Sequence, residues 1–476
     1  MNSSPVLVAE NVSFIYPQNK SGLSPVNLTL SENEGIFISG DSGSGKSTLT
    51  RCLSGLIPHL YRGSFDGRVL LQGTCTRELP LWESAKRVGL VFQNPAHQML
   101  ASTVELELLF GLENLGLKRD EVTKRLEEVV EIFNLGSFLQ RSPQTLSGGE
   151  QQKLALASIL ARKPRIFLFD EPLSMLDSTS AFELVTLIES LIQRGYSALI
   201  CEHRQAFLKD SSHFRPFKLP GLQTQPACTT KSGRNSVDYP QLIDPFSLNV
   251  EKLGVKKSGH EIIRDMSFFL ESGQVVAIVG RNGSGKTTLL RSLTGLQKYS
   301  GDVWVERGGE KQPPSFRMVF QNPDVQLFNA TVREEILYKI PQPDMTRYEW
   351  LLQSLNLKHY EETPPLLLSE GEKRRLALAS TLMQPMRHGI LLDEPALGQD
   401  QNHKEILMNI LHKLARAGFL VIFSTHDLEL AAQADRLILI NPGGIVAEGS
   451  SRDMIAAQSP WQEIGLTIPE WVRQHD

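Results

Sequence analysis

Two stretches of the chain have the residue types and the spacing that hold a phosphate chain. Residues 40–47 read Gly-Asp-Ser-Gly-Ser-Gly-Lys-Ser, and residues 280–287 read Gly-Arg-Asn-Gly-Ser-Gly-Lys-Thr. Glycines let backbone N–H groups wrap the phosphates, the N-terminus of the following helix adds positive potential, and the lysine meets the outer oxygens. The candidate binding residues are Gly40, Asp41, Ser42, Gly43, Ser44, Gly45, Lys46, Ser47, Thr48, Gly280, Arg281, Asn282, Gly283, Ser284, Gly285, Lys286, Thr287 and Thr288.

Two pairs of adjacent acids could supply the rest of a hydrolytic site. Asp170 and Glu171 follow the apolar run Ile-Phe-Leu-Phe, and a second pair follows Ile-Leu-Leu, so each pair ends a predicted buried strand. The first acid can hold magnesium through water, and the second, Glu171 or Glu394, can orient and deprotonate the attacking water. Alone, this pattern is more often a solvated strand end, but beside a phosphate loop it favours hydrolysis. The candidate magnesium ligands in these patterns are Ser47, Asp170, Thr287 and Asp393.

These groups need a strand before each glycine stretch and a helix after it. The apolar runs at 35–38 and 275–279 lead directly into the two stretches, and a helical pattern follows each of them. Strand, loop and helix in this order are the context in which the glycine pattern binds phosphate rather than merely starting a helix. The same order occurs twice, which strengthens the interpretation.

The chain repeats its motifs once, in the same order. Phe-Gln-Asn-Pro occurs at 92–95 and 320–323, and Leu-Ser-Gly-Gly-Glu at 146–150 returns as Leu-Ser-Glu-Gly-Glu at 368–372. Between the copies lies a stretch rich in Pro, Ser, Thr and Gln without an amphipathic period, which is typical of a linker. The predicted boundaries are 1–208 for the first nucleotide-binding domain, 209–245 for the linker and 246–476 for the second domain.

Length and composition indicate a globular protein of more than one domain. The chain has 476 residues, of which 41% are hydrophobic and 21% charged. No apolar run approaches the roughly 18 to 20 residues that a membrane helix needs, so any membrane role is predicted to be peripheral. The N-terminus lacks the pattern of a secretory signal, and the cysteines form no C-x-x-C pair for zinc. A formal net charge of -4 without a long basic block argues against a nucleic-acid partner.

The ordered motifs resemble those of the ABC ATPase family, and the resemblance covers both halves. It implies an α/β fold of two P-loop NTPase (RecA-like) ABC cassettes, each with a small antiparallel β subdomain and a helical signature subdomain. It also implies hydrolysis of ATP with Mg²⁺ as cofactor. By the same resemblance, Gln93 and Gln321 sense the γ-phosphate and the metal, and His203 and His426 contact the γ-phosphate.

In this family the phosphate loop of one cassette faces the signature motif of the other cassette. The resemblance therefore implies composite ATP sites within one chain, in which Lys46 faces Ser369 and Gly371 of the second signature, and Lys286 faces the first signature. A hydroxyl group and glycine N–H groups at a helix N-terminus make a second cradle for anions. The candidate binding residues of the first signature are Ser147, Gly148 and Gly149.

Two departures from the family pattern predict unequal sites. Tyr16 matches the aromatic residue that stacks on adenine, whereas the second half has two lysines there, at 256–257. Glu370 replaces a glycine of the second signature and adds a negative charge beside the phosphates. The Lys286 site is therefore predicted to bind the base more weakly, and the Lys46 site to close less readily. If the glutamate turns to solvent and a lysine stem covers adenine, the two sites become equal.

The strings at 92–98 and 320–326 resemble the F-Q-[ND]-P-D-x-Q pattern of energy-coupling factor (ECF) transporter ATPases, although Ala96 departs from it. In that family two cassettes drive uptake of vitamins or metal ions, and some fused versions are assigned to hydroxymethylpyrimidine or thiamine. The implied partners are an integral membrane coupling subunit and a substrate-binding membrane subunit. The resemblance places the chain peripherally, at the cytoplasmic face of the cell membrane.

Two other kinds of double-cassette protein are alternatives. A fused sugar-importer ATPase would share the Gln-Gln-Lys that follows the first signature. A soluble double-cassette translation or repair factor would add a long charged helical arm or zinc modules, and the sequence has neither. The sequence does not encode the transported substrate, because the substrate pocket would belong to another subunit.

Overall fold

The computed structural model describes residues 5–17, 22–40, 43–146, 148–174, 176, 178–202, 208, 211–219, 244–257, 259–457 and 459–466. These residues fold into two compact units, and each unit holds one copy of the repeated motifs. None of the helices within these ranges is long and apolar enough to cross a membrane.

The first half of the chain begins with strands and then alternates helices and strands. Its strands are β1 (Pro5–Ile15), β2 (Gly22–Ser31), β3 (Gly35–Ser39), β4 (Ser64–Leu71), β5 (Thr74–Cys75), β6 (Val88–Val91), β7 (Ile166–Asp170), β8 (Ser197–Cys201) and β9 (Phe214–Lys218). Its helices are α1 (Lys46–Leu53), α2 (Leu56–His59), α3 (Leu81–Arg87), α4 (Val104–Glu113), α5 (Arg119–Ile132), α6 (Gly148–Ala161) and α7 (Ser178–Gln193).

Two sheets form in the first half. Strands β2, β1, β4 and β5 pair in this order as an antiparallel sheet, and β6, β7, β8, β3 and β9 form a parallel sheet. β7 and β8 are buried along their whole length, because continuous apolar runs fill both faces of a parallel sheet. The carboxyl ends of β3, β7 and β8 therefore meet at one edge of the sheet, where the phosphate loop and the acid pair lie.

Strand β9 lies inside the segment 209–245 that the sequence predicts to be a linker. It pairs in parallel with β3, from Phe214 opposite Gly35 to Lys218 opposite Ser39, so the first unit extends past the expected boundary at residue 208. The strand contains a proline and two charged residues, which an edge strand tolerates because one side needs no sheet partner. This composition is why the sequence pattern indicates only a shortened or degenerate strand at 213–219 and assigns the segment to the linker. The remainder of the predicted linker, 220–243, lies outside the described residues.

The second half of the chain repeats this order of elements. Its strands are β10 (Ser247–Lys257), β11 (His260–Glu271), β12 (Val275–Val279), β13 (Ser300–Arg307), β14 (Glu310–Gln312), β15 (Phe316–Val319), β16 (Gly389–Asp393), β17 (Leu420–Thr425), β18 (Arg436–Asn441) and β19 (Gly444–Ser450). Its helices are α8 (Lys286–Leu293), α9 (Val332–Leu337), α10 (Met345–Ser354), α11 (Glu370–Met383), α12 (Gln401–Arg416), α13 (Leu428–Ala432), α14 (Ser451–Ala456) and α15 (Ser459–Glu463).

The sheets of the second half match those of the first. Strands β11, β10, β13 and β14 form the antiparallel sheet. The order β15, β16, β17, β12, β18 and β19 forms the larger sheet, which is parallel except for β19. β12, β16 and β17 occupy the places of β3, β7 and β8, so the second glycine stretch and the second acid pair also meet at one edge.

A group of helices carries the signature motif in each half. α6 begins at the first signature, and its Leu154 belongs to one buried cluster with Leu108 of α4. α11 begins at the second signature, and its Leu376 belongs to a buried cluster with Ile336 of α9. The apolar spacing of these helices therefore fixes each signature motif on a packed helical subdomain.

Candidate functional site

The two glycine stretches form loops whose backbone only glycine adopts easily. Gly43 and Gly45 have φ angles of 77° and 95°, and Gly283 and Gly285 have 84° and 98°. A Cβ atom on Gly45 would lie 2.5 Å from the carbonyl oxygen of Gly22, so space as well as conformation requires glycine there. Both loops open directly into a helix, α1 or α8, which is the arrangement that binds phosphate. Asp41 and Ser42 lie outside the described residues.

The loop lysines lie between their own glycine stretch and the second acid of the pair. Lys46 Nζ donates to the carbonyl oxygen of Gly40 at 2.9 Å and lies 3.6 Å from Glu171 Oε1. Lys286 Nζ donates to the carbonyl oxygen of Gly280 at 2.7 Å and lies 3.7 Å from a carboxylate oxygen of the corresponding glutamate. Both ammonium groups are buried. Each can therefore serve a phosphate in the loop while it pairs with the acid.

The hydroxyl after each lysine bonds to the first acid of the pair. Ser47 Oγ donates to Asp170 Oδ1 at 2.9 Å, and Thr287 Oγ1 donates to Asp393 Oδ1 at 3.1 Å. Burial, together with the charge of Glu171, raises the pKa of Asp170 to about 7, and burial raises the pKa of Asp393 above its usual range. The positive charges of Arg51 and Lys46 near Asp170, and of Lys286 near Asp393, lower these pKa values but do not outweigh burial.

A magnesium ion fits this donor set. Asp393 Oδ2 is buried and has no hydrogen-bond partner in the described part of the chain, so one carboxylate oxygen has no protein donor. Mg²⁺ prefers oxygen ligands and is usually held by one or two protein groups, waters and substrate phosphates. Among the described residues no group of three or more His, Cys, Asp or Glu could hold a metal ion. In each half a hydroxyl and a carboxylate are the protein groups that would hold magnesium.

The second acids have an unusual backbone conformation in both halves. Glu171 and Glu394 have φ angles of 50° and 49°, in the left-handed region that side chains other than glycine seldom adopt. Their N–H groups donate to the carbonyl oxygens of Cys201 and Ser424 at 2.8 and 3.2 Å, so the adjoining strand holds the turn in place. Strained residues kept at matching positions are characteristic of functional sites.

The two glutamates have different partners. Gln93 Nε2 donates to Glu171 Oε2 at 2.9 Å, whereas Gln321 is exposed and makes no such bond to Glu394 within the described residues. In the second half His426 Nδ1 lies 2.9 Å from Glu394 Oε2. Burial alone raises the pKa of Glu394, but His426 and Lys286 outweigh it and hold the pKa at about 2. His203, the corresponding histidine of the first half, lies outside the described residues.

Ser369 of the second signature is the N-cap of α11. Its Oγ accepts from the N–H of Glu372 at 3.3 Å, and its own N–H donates to Glu372 Oε2 at 2.7 Å, which is a capping box. Glu370 Oε1 lies 3.9 Å from Lys373 Nζ, and the same ammonium also pairs with Asp324 at 2.8 Å. The charge of Glu370 is therefore partly offset.

The glycines of both signature motifs lie in the first turn of a helix. Gly148 and Gly149 open α6, and Ser147 lies outside the described residues. In the second signature the Gly371 carbonyl oxygen accepts from Gln399 Nε2 at 3.1 Å. Both signatures thus start a helix, as the sequence predicts.

The end of the first strand differs between the halves. Asn11 and Lys252 have φ angles of 49° and 48° at the same irregularity of β1 and β10. Tyr16 and Lys257 follow them at the same distance along the chain, so Lys257 is the counterpart of Tyr16 in the second half. The hydroxyl of Tyr16 accepts from Arg51 Nη1 at 3.1 Å, while Lys257 is exposed. The second half therefore has no aromatic residue at the position of Tyr16.

Sequence reasoning missed two buried glutamates that hold the loop after each Phe-Gln-Asn-Pro motif. Glu107 Oε2 accepts from the N–H groups of Leu100 and Ala101, both at 2.8 Å. Glu335 Oε2 accepts from the N–H groups of Phe328 and Asn329, at 2.9 and 2.8 Å. The available signal was an acid at the same place in both copies, on a helix face that is otherwise apolar.

Comparisons with known proteins agree with this geometry. A sequence profile described as ABC transporter matches residues 23–174 and 263–397. A Bacillus subtilis protein provisionally named HMP/thiamine import ATP-binding protein YkoD is 32% identical over 98% of this chain and 96% of its own. An ABC transporter ATP-binding protein of Treponema denticola, also provisionally named, is 33% identical over 93% of this chain and 97% of its own.

Solved structures show the same fold. A ribosome-bound archaeal complex of Pelota and ABCE1 matches with a TM-score of 0.65 at 22% identity, over 95% of this chain and 80% of that chain. RNase-L Inhibitor matches with a TM-score of 0.60 at 22% identity, over 96% and 93%. At such identity the likeness shows the fold alone. The comparisons confirm the fold class and the ABC ATPase resemblance that the sequence predicts.

Proposed function

Since the chain belongs to the ABC transporter family and is an ATPase with two fused cassettes, we propose that it is the energy-coupling subunit of a membrane importer of the ECF type. The observation that carries this proposal is an exposed apolar side chain at the same place in each half. Leu100 is 75% exposed and Phe328 is 65% exposed, and each follows its Phe-Gln-Asn-Pro motif at the same distance.

These side chains lie on loops that are held in place rather than free. The buried carboxylates of Glu107 and Glu335 accept the N–H groups of Leu100 and Phe328, so each apolar side chain is presented from a fixed backbone. What supports a partner surface is the occurrence of an exposed apolar side chain at the matching position of both halves, since interface cores are enriched in large apolar residues. An integral membrane coupling subunit that contacts both cassettes suits this pair of matching surfaces.

The substrate proposal rests on similarity. The Bacillus subtilis relative's name refers to HMP/thiamine import, and its likeness extends over nearly the whole chain. We assign this chain to uptake of a vitamin or metal ion, with hydroxymethylpyrimidine or thiamine as the first substrates to test. A substrate-binding membrane subunit would hold the substrate, and the chain would act peripherally at the cytoplasmic face of the cell membrane.

In this proposal different residues of each site bind the phosphates, hold magnesium and activate water. The glycine loop and Lys46 or Lys286 bind the phosphates, and Ser47 with Asp170, or Thr287 with Asp393, would hold magnesium. Magnesium, when bound, would neutralise charge on the phosphates. Glu171 and Glu394 take the proton of the attacking water, and His426 and Lys286 keep Glu394 in the carboxylate form that this step requires.

Replacing Leu100 and Phe328 together by aspartate tests the importer assignment. We expect ATPase turnover of the isolated chain to stay within about twofold of the parent, because these are surface changes. Uptake of labelled thiamine or hydroxymethylpyrimidine in a strain lacking the native gene should fall by at least about tenfold, since charges would enter the partner interface. Leu60→Asp and Leu296→Asp, at side chains 63% and 60% exposed, are matched controls and should leave uptake unchanged.

Uptake and cell fractionation of the same strains distinguish an importer subunit from a ribosome-binding factor. Failure of the parent chain to restore uptake, or its sedimentation with ribosomes instead of the membrane fraction, would overturn the importer proposal. Normal uptake in the double aspartate variant would overturn the role of Leu100 and Phe328 as the partner surface.

We also propose that the composite ATP sites close within one chain. The stretch between residues 219 and 244 can span up to about 80 Å when extended, which allows the two cassettes to meet face to face. With Glu171→Gln and Glu394→Gln installed to prevent hydrolysis, ATP should make the chain more compact while its mass stays that of one chain. Light scattering coupled to size exclusion measures both quantities, and an obligatory dimer of chains with ATP would contradict the proposal.

A further inference from the structure

The two candidate magnesium aspartates lie beside different residues of the neighbouring strand. Asp170 at the end of β7 is opposite Cys201 at the end of β8. Asp393 at the end of β16 is opposite Ser424 in β17. Cys201 and Ser424 occupy corresponding positions in the two parallel sheets. The first half therefore has a thiol where the second half has a hydroxyl.

In the second half the hydroxyl gives one oxygen of the aspartate a second hydrogen-bond donor. Ser424 Oγ donates to Asp393 Oδ1 at 2.6 Å, and Thr287 Oγ1 donates to the same oxygen at 3.1 Å. Ser424 Oγ in turn accepts from the N–H of Glu394 at 3.1 Å, which fixes the hydroxyl between the two acids. Ser424 is fully buried, so no solvent competes for these bonds. One carboxylate oxygen is thus held by two donors, and Oδ2 is left for another ligand.

In the first half the thiol gives no equivalent support. Cys201 Sγ is directed to the carbonyl oxygen of Lys46 at 3.9 Å, and thiols are weak donors. Among the described residues, the side-chain donor to Asp170 is Ser47.

We propose that Ser424 is a positioning residue that holds Asp393 for its metal ion, and that Cys201 leaves the first site with a weaker hold on metal. The inference rests on the proposed assignment of Asp170 and Asp393 as magnesium ligands and is independent of the importer assignment. A hydrogen bond to the carboxylate fixes its direction before the metal arrives. Loss of such an outer partner typically weakens metal binding about 10- to 100-fold.

Manganese is the probe, because Mn²⁺ is a spectroscopic substitute for Mg²⁺ with the same preference for oxygen ligands. The full chain carries Glu171→Gln and Glu394→Gln, is saturated with ATP, and is titrated with Mn²⁺ while electron paramagnetic resonance measures the free ion. We expect two binding classes of unequal affinity. Ser424→Cys should weaken the tighter class by about tenfold and leave the other unchanged. Cys201→Ser should raise the Mn²⁺ affinity of the weaker class several-fold, toward the affinity of the tighter class.

A control variant and the reverse exchange at Cys201 accompany Ser424→Cys. Ser292→Cys exchanges another fully buried hydroxyl of the second half, which donates to the carbonyl oxygen of Thr288 at 2.9 Å, and should change neither class. If Ser424→Cys does not fold, Cys201→Ser still tests the inference by a gain of affinity. Equal classes in the parent, or classes that neither exchange moves, would overturn it. Absence of any ATP-dependent Mn²⁺ binding in the parent would overturn the assignment of the aspartates as well.

Discussion

Exchange of both Glu171 and Glu394 for glutamine is expected to lower ATPase turnover by at least about 100-fold while ATP binding is retained, because removal of a general base costs about 10²- to 10⁴-fold. Glutamine keeps the size of glutamate but cannot take a proton. The left-handed backbone of both residues and their closeness to the loop lysines, 3.6 and 3.7 Å, place these two carboxylates at the phosphate loops. Steady-state phosphate release and equilibrium binding of a fluorescent ATP measure the two quantities.

The matched control exchanges a buried glutamate for glutamine away from the phosphate loop. Glu335→Gln on α9 keeps an oxygen that accepts from the N–H groups of Phe328 and Asn329, so turnover should stay near that of the parent. Hydrolysis near the parent rate in the double variant would disprove the assignment of the two bases. A loss of ATP binding as large as the loss of turnover would show that the carboxylates serve binding instead.

The single exchanges are expected to be unequal, with Glu394→Gln the more damaging. The site of Lys286 would face the unaltered first signature, which carries no acid at the position of Glu370. The site of Lys46 would face Glu370, whose charge opposes closure over a polyanionic nucleotide. A Coulomb penalty of about 1.4 kcal/mol would leave Glu394→Gln with roughly a tenth of the turnover of Glu171→Gln at saturating ATP.

Two properties of the chain would reduce the expected difference between the two single variants. Lys373 lies 3.9 Å from Glu370 and reduces its repulsion. Lys257 replaces the aromatic residue at the Lys286 site, and loss of one stacking contact costs about 1 to 3 kcal/mol of base binding. Saturating ATP removes the second effect. Glu370→Gln added to Glu394→Gln should restore part of the turnover, and equal single variants, or a larger loss from Glu171→Gln, would refute the ranking.

Motifs confined to one strand, loop and helix could be predicted from the sequence. In the two glycine stretches, Gly43, Gly45, Gly283 and Gly285 adopt positive φ angles, and both stretches lead into helices as expected, because such local conformation depends on neighbours in sequence. The acid pairs end buried strands because continuous apolar runs fill both faces of a parallel sheet. The sequence pattern assigns the residues of strand β9 to the linker, and indicates only a degenerate strand there, because its proline and charges are tolerated only at the edge of a sheet that the sequence does not show.

The sequence by itself therefore determined the two cassettes, the order of their motifs and the residue types at each phosphate loop. The tertiary structure alone decided which partners meet the acids: Gln93 on Glu171, His426 on Glu394, and a serine or a cysteine beside the aspartates. These partners come from strands and loops far away in the chain. Local sequence patterns record the conformation of a segment, whereas the pairing of separate segments depends on sheet order and register, which form only when the whole core packs.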